Sequence, residues 1–123
     1  MLIIILKWTA PEVLKFGKIT TASDVWSFGI CLWELFTKGE TPYSAISDQQ
    51  SILDQLDTGY RLPKPRKCAD EIYAIMVACW KEEYAERPTF DEILKMLKIE
   101  PMQVEQKRPL SLDVIVAQNQ NYV

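Results

Sequence analysis

Apolar residues in this chain recur at helical spacing, and the clearest example lies between about Asp70 and Lys81. Within that stretch, apolar positions follow each other at i, i+3, i+4, i+7 and i+8, namely Ile72, Ile75, Met76, Cys79 and Trp80. That spacing places them on one face of a helix. The pattern therefore predicts an amphipathic helix that packs one side against a core.

A second stretch, from about Ala22 to Thr37, has apolar residues on every side of a helical wheel: Val25, Trp26, Phe28, Ile30, Leu32, Trp33, Leu35 and Phe36. A helix that is apolar all round belongs inside a protein rather than at its surface. Asp24 falls in its first turn, where a carboxylate can cap the helix or meet its positive end. We expect a central buried helix that needs much of the remaining chain as its cover.

Two further helices complete the predicted all-α fold of about four main helices. One opens at Ser47 or Asp48 and runs to about Asp57, with a narrow apolar stripe of Ile52, Leu53 and Leu56. The other begins at Thr89, and Glu92 three residues later completes a capping-box pattern. Its predicted apolar face consists of Phe90, Ile93, Leu94 and Leu97.

The two ends of the chain differ from this helical middle. Residues 1–6 are an atypical apolar start, far shorter than the ~20 apolar residues of a membrane span. Their β-branched composition favours a buried strand or extended segment, although an arbitrary start of a truncated reading frame would look the same. Residues 101–123 are rich in Gln and Asn and are predicted to form a mostly flexible tail. Five apolar tail residues could dock as a short strand or helix: Leu110, Leu112, Val114, Ile115 and Val116.

Composition narrows the classes of protein to which the chain can belong. Its 123 residues suffice for one small domain, and a net charge of -3 gives no argument for binding nucleic acid or an anionic membrane. The three cysteines lack C-x-x-C spacing, and the chain contains no histidine, so no metal site is predicted. Reduced thiols are typical of an intracellular, cytoplasmic protein.

The same counts exclude nucleotide chemistry from this stretch. Only four glycines occur, each at least ten positions from the next, so they cannot form a glycine-rich phosphate loop. Without histidine there is no H-R-D catalytic loop, and no D-F-G occurs. We therefore predict no catalytic, cofactor-binding or metal-ligating residue within this chain.

Several motifs nevertheless resemble the catalytic domain of protein tyrosine kinases. The segment from Trp8 to Glu12 reads W-T-A-P-E, the sequence that ends the activation segment in that family. The stretch S-D-V-W-S-F-G that begins at Ser23 resembles the family's central buried helix. Further blocks follow at family-like spacing: Trp33-Glu34, Gly39, Pro42-Tyr43, Gly59 with Tyr60-Arg61-Leu62, Cys79-Trp80 and Arg87-Pro88-Thr89-Phe90. The resemblance implies that residues 7–100 are the lower part of the kinase C-terminal lobe, from the end of the activation segment onward.

The resemblance also implies a role for the segment at the start of this region. Lys7, Trp8 and Thr9 match the floor on which a substrate tyrosine and its following residue lie. A tryptophan on an extended segment is also often a core residue, and both interpretations of Trp8 stay open. The sequence departs from the family at Ile5, where a proline is usual.

Two further roles rest on the same resemblance. Glu12 matches a glutamate that pairs with the arginine corresponding to Arg87, and both charges would be partly buried; the alternative is two solvated surface charges. Asp24 matches a residue at the start of the central helix that hydrogen-bonds the catalytic loop. Since that loop is missing from the sequence, Asp24 is expected only to cap its own helix.

For a complete domain, the resemblance implies phosphate transfer from ATP, with Mg, to tyrosines of protein substrates. This chain alone leaves three hypotheses open. It is a catalytically inactive piece, a truncated interaction module that competes for protein partners through the helix ending near Asp57, or an enzyme completed in trans by the missing part. Tyr122 near the end lies in N-x-x-Y, and an ordinary tail tyrosine is expected there rather than a phosphosite.

Overall fold

The computed structural model describes residues 6–98 of the chain. Within that range the elements are helices α1 (Pro11–Phe16), α2 (Thr21–Phe36), α3 (Gln49–Asp57), α4 (Asp70–Cys79) and α5 (Phe90–Met96), with a 3-10 turn at Tyr84–Glu86 before α5. No strand occurs among these residues, which confirms the all-α prediction. The apolar start predicted for residues 1–6 lies outside the described residues except for Leu6, and the tail predicted for residues 101–123 lies wholly outside them.

The four predicted helices are present, with α2, α3 and α4 within two residues of their expected bounds, but α1 was missed. Helix α5 starts one residue after Thr89 and ends at Met96, earlier than the expected end at Pro101. Helix α1 is only 6 residues long, too short for apolar periodicity to reveal it. Its signals are local: Pro11 occupies the first helical position, where a proline loses no hydrogen bond. Gly17 ends the helix in the left-handed region at φ 69°, which glycine adopts without steric cost.

Helix α2 runs through the middle of the core and packs mainly against α4. Gly29 lies at their closest approach, since a Cβ atom there would be 2.7 Å from Trp80 Nε1 and 2.8 Å from Cys79 Cβ. Such distances are shorter than van der Waals contact, so only glycine allows the two elements to meet this closely. The core cluster combines α2 with residues of every other α-helix except α1, and includes Trp26, Ile30, Ile52, Leu56, Ile75, Met76, Cys79, Trp80 and Ile93.

Burial of α2 is less complete than its all-round apolar sequence predicted. Leu35 is 71% exposed and Cys31 also lies on the exposed side of the helix. Helix α5 shows a similar difference, since Ile93 is buried whereas Phe90 and Leu94 are exposed. The apolar pattern identified both helices but overestimated how much of each surface the rest of residues 6–98 covers. Among those residues no helix combines the length and hydropathy that crossing a bilayer requires.

Candidate functional site

The segment from Lys7 to Glu12 is attached to the core at three places, of which the first is Lys7. Its ammonium donates a hydrogen bond to the carbonyl oxygen of Tyr43 at 3.1 Å, and the residue is 8% exposed. Tyr43 itself is buried and has a positive φ of 48°, a conformation that non-glycine residues rarely adopt. The ammonium of Lys7 is therefore directed into the protein, towards the loop that follows α2.

Trp8 forms the second attachment, through both its side chain and its backbone. Its indole Nε1 donates to Glu34 Oε1 at 2.6 Å, while the Ser27 hydroxyl donates to the Trp8 carbonyl at 2.7 Å. Ser27 and Glu34 both belong to α2, so that helix fixes the position of the tryptophan. Trp8 is half-buried and packs against the core cluster, and Thr9 beside it is also half-buried.

Glu12 forms the third attachment, a bidentate ion pair with Arg87. Arg87 Nη1 donates to Glu12 Oε2, and Nη2 donates to Oε1, each at 2.7 Å. The side chain of Arg87 is 0% exposed and that of Glu12 is 9% exposed. Two parallel charge-assisted bonds of this kind fix both distance and orientation. The pair joins the start of α1 to the segment before α5, 75 positions later in the sequence.

Arg87 is further held by backbone carbonyls and by an aromatic ring. It donates to the carbonyl oxygens of Lys81 at 2.9 Å, Ala22 at 3.0 Å and Glu82 at 3.4 Å. Its guanidinium carbon lies 5.0 Å from the ring centroid of Trp26, within cation–π distance. The buried arginine thus has acceptors for its donors on several neighbouring segments.

Arg61 is a second cation at the same tryptophan, and sequence reasoning missed its role. Its guanidinium carbon lies 5.4 Å from the Trp26 ring centroid. It donates to the carbonyl oxygens of Trp80 at 2.8 Å and of Leu56 at 3.1 Å, so it links the ends of α3 and α4. The only sequence signal was its place in the block Tyr60-Arg61-Leu62, which says nothing about which carbonyls it reaches.

The protonation of Glu12 reflects two opposing effects. Burial raises the pKa of its carboxyl group, but the hydrogen bonds from Arg87 and from the backbone, with the positive charges of Arg87 and Lys18, hold that pKa below its ordinary value. Glu12 is therefore ionised at neutral pH, as a bidentate partner of a guanidinium must be.

Asp24 does not cap α2, so that interpretation was wrong. The cap is Thr20, whose hydroxyl accepts hydrogen bonds from the backbone of Ala22 and Ser23, and the Ser23 hydroxyl completes the capping box. Asp24 does lie in the first turn, as predicted, where its charge can meet the positive end of the helix, and it is exposed. Within residues 6–98 its carboxylate makes no hydrogen bond or ion pair, and the contact with a catalytic loop that the resemblance implies for a complete domain stays a prediction.

The arrangement of residues 6–98 does not fit ATP or Mg. Gly17 and Gly59 lie at the ends of α1 and α3, and Gly29 is packed inside the core. No glycine-rich loop exists in the sequence to approach phosphates. Among the described residues no group of three or more acidic or cysteine side chains gathers as a metal site would.

The cysteine thiols offer no alternative chemistry. Burial raises the pKa of Cys79 to about 12, against the opposing charge of Arg87. Burial also raises the pKa of Cys68 and of Cys31, and in Cys31 the nearby Glu34 carboxylate adds to the effect. All three are unpaired thiols, and a thiol rather than a thiolate is a poor nucleophile.

Comparison with known proteins agrees with this geometry. A family model described as protein tyrosine and serine/threonine kinase matches residues 2–97. The chain is 47% identical over 92 residues to human ephrin type-A receptor 5, and 46% identical over 92 residues to the same receptor of chicken (Gallus gallus). Each match covers 75% of this chain but 9% of the relative, so the chain spans a small part of these proteins. The chain belongs to the protein kinase family, which confirms the resemblance to the lower C-terminal lobe of the catalytic domain.

Proposed function

We propose that this chain forms the base of the C-terminal lobe of a protein tyrosine kinase and holds the floor on which the substrate tyrosine docks. The complete domain would transfer phosphate from ATP to tyrosines of protein substrates, as part of intracellular signalling. The W-T-A-P-E sequence at Trp8 to Glu12 supports the tyrosine branch. The observation that carries the proposal is the triple attachment of this segment to the core.

The three attachments suit a docking surface because each removes a degree of freedom. Trp8 is fixed by two hydrogen bonds to α2, and Glu12 is fixed by its two bonds to Arg87. Thr9 lies between these fixed points. Because the segment is already rigid, no conformational entropy has to be lost to order it each time a substrate binds. A substrate hydroxyl is then held in position for the reaction, which raises its effective molarity.

Alone, the chain is proposed to be inactive. Phosphoryl transfer needs a phosphate loop, a lysine on the phosphates, metal-holding acids and an oriented base, and the sequence supplies none of these as motifs. The purified chain should give no thermal shift with Mg-ATP and no phosphate transfer to a tyrosine peptide. A thermal shift of several degrees would contradict this part of the proposal.

The docking role is tested in the complete kinase domain with Glu34→Gln. Replacing the carboxylate weakens the acceptor that orients the Trp8 indole. The expected result is a higher KM for a tyrosine peptide with an unchanged KM for ATP. Glu40→Gln, at an exposed glutamate four residues beyond the end of α2, is the matched control. An unchanged peptide KM, or equal changes in both KM values, would contradict the docking role.

A second candidate function is that of a non-catalytic decoy for the substrates of a complete kinase. It is favoured by two exposed apolar side chains, Phe16 at the end of α1 and Ile19 just after it, which are 79% and 75% exposed. The neighbouring α3 is tied to this region by the ion pair of Lys15 with Asp57 at 3.1 Å. Together these residues offer a surface that a protein substrate could occupy.

Titration of the chain into a reaction of the complete kinase tests the decoy function. Inhibition that is relieved by Phe16→Ser and Ile19→Ser would support it. Leu35→Ser is the matched control, because Leu35 is similarly exposed. It lies on α2 roughly 20 Å from the N-terminal end of that helix, which follows Ile19 in the sequence. Absence of inhibition, or equal relief by the control, would leave the docking role as the only function supported.

A further inference from the structure

Tyr84 holds a lysine ammonium at its hydroxyl group. The Nζ atom of Lys18 donates to Tyr84 Oη at 2.5 Å and lies 4.3 Å from the centroid of the same ring. Lys18 makes no carboxylate ion pair among residues 6–98, whereas the neighbouring Lys15 pairs with Asp57. Lys18 is close enough to the Glu12 carboxylate to lower its pKa, but the hydrogen bond of its ammonium goes to a neutral phenol.

The other tyrosines of the described residues differ from Tyr84 in ways that matter for modification. Tyr43 is 6% exposed, and Tyr73 donates its hydroxyl proton to the carbonyl of Leu62 at 2.6 Å. Tyr60 is 41% exposed, but its hydroxyl has no cation partner within the described residues. Tyr84 alone among these combines a partly exposed ring with a positive charge placed at its oxygen.

The surroundings leave room for a larger group on that oxygen. Tyr84 borders a surface groove of about 360 Å³, which Lys15, Lys18, Glu82 and Glu83 also line. The ring belongs to a three-residue 3-10 turn held by the bonds Glu86 N–H to Glu83 O and Arg87 N–H to Tyr84 O. Glu83, Ala85 and Glu86 of this turn are exposed, so the segment that carries Tyr84 faces solvent.

We propose that Tyr84 is a phosphorylation site and that Lys18 holds the resulting phosphate. In the modifying step, the phenol oxygen of Tyr84 forms a bond to the γ-phosphorus of a nucleoside triphosphate. The bond from that phosphorus to the β–γ bridging oxygen breaks, the nucleoside diphosphate leaves, and the phenol proton passes to the base of the modifying tyrosine kinase. The proposal does not depend on any activity of this chain itself.

The balance of charges favours capture by Lys18. A phosphotyrosine carries about -1.5 to -2 charges at neutral pH and accepts strong hydrogen bonds. Three exposed carboxylates lie nearby in sequence, those of Glu82, Glu83 and Glu86, and solvent and salt weaken their repulsion of a phosphate. The Glu12 carboxylate also lines the groove but is paired with Arg87, whereas Lys18 is in direct contact with the oxygen that would carry the phosphate. Arg87 is not available as a competitor for the phosphate, because its side chain is fully buried. The phosphate would therefore tie the loop before α2 to the turn before α5.

The test treats the purified full chain with a broad-specificity tyrosine kinase, Mg²⁺ and ATP, and maps phosphate by tandem mass spectrometry. We expect modification of Tyr84 and none of the buried Tyr43. Tyr84→Phe should remove that phosphopeptide, and the matched Tyr60→Phe should leave it unchanged. Failure to modify Tyr84 while Tyr60 is modified, or modification of Tyr43 as fast as Tyr84, would overturn the proposal.

The role of Lys18 is tested by measuring the second pKa of the phosphate on Tyr84 in a ³¹P NMR titration. The second pKa of the phosphate should be lower by roughly one unit than in an unfolded peptide of the same residues, because a neighbouring cation favours the dianion. Lys18→Gln should abolish the difference, and Lys95→Gln, at an exposed lysine on α5, should preserve it. A phosphate pKa equal to that of the peptide, or one indifferent to Lys18→Gln, would overturn capture by Lys18.

Discussion

Removal of either charge of the Glu12–Arg87 ion pair should destabilise the fold, and the two losses should not add. The informative proteins are Glu12→Gln, Arg87→Ala and the double variant. Glu12→Gln keeps the size of the side chain and removes its negative charge. Arg87→Ala removes the cation, the hydrogen bonds to backbone carbonyls and the contact with the Trp26 ring.

The magnitude follows from what each change leaves behind. In Glu12→Gln the guanidinium of Arg87 stays fully buried with carbonyl acceptors but without a counter-charge, and we expect a loss of about 3–4 kcal/mol. In Arg87→Ala the carboxylate of Glu12, which is 9% exposed in the intact pair, loses both of its guanidinium hydrogen bonds and keeps only the nearby charge of Lys18, so the loss should be about 3–5 kcal/mol. The double variant contains no unpaired buried charge, so its loss should fall short of the sum by about 1–3 kcal/mol.

The measurement is urea unfolding followed by tryptophan fluorescence, with the Trp26 ring next to Arg87 as one reporter. Asp57→Asn is the control, because it breaks the exposed Lys15–Asp57 pair and should cost less than about 1 kcal/mol. Additivity of the two Glu12–Arg87 losses within about 0.5 kcal/mol would refute the reasoning. It would mean that neither charge depends on the other for its burial.

Other features of the structure give further expectations. Gly29→Ala places a methyl group 2.7 Å from Trp80 Nε1, and overpacking of about 1–3 kcal/mol should exceed the gain of up to about 1 kcal/mol in helix propensity. Its midpoint of urea unfolding should therefore fall, while that of Cys31→Ala on the exposed side of α2 should not. The pKa of Glu12 is lower in the folded than in the unfolded state, so its stabilisation is complete above the unfolded pKa of about 4.3 and is lost as pH falls through the folded pKa. Unfolding between roughly pH 5 and 3 should thus depend more steeply on pH in the unmodified protein than in Glu12→Gln, and equal slopes would contradict this sign. Finally, the chain on its own should be poorly soluble and bind a dye specific for apolar surface, and Leu35→Ser should lower dye binding without lowering Tm.

The sequence by itself determined the helices whose signals are local. Helix α4 follows from its one-sided apolar spacing, α3 from an aspartate cap, and α5 from a capping box at Thr89 and Glu92, because these features depend on residues within one or two turns. The block motifs further implied that Glu12 pairs with Arg87. The two residues are 75 positions apart, and helical periodicity relates only residues within a few turns of each other. The pair was therefore suggested by the resemblance alone.

Tertiary structure alone decided which sides of these helices are covered and which partners the polar groups reach. The apolar pattern of α2 could not show that Leu35 is exposed, since burial depends on what packs there and not on the helix's own sequence. The same holds for the hydrogen bond of Trp8 to Glu34 and for the contact of Lys18 with Tyr84. The first contact joins residues 26 positions apart and the second joins residues 66 positions apart. Such distant residues come into contact only when α1, α2 and the turn before α5 pack around a common core.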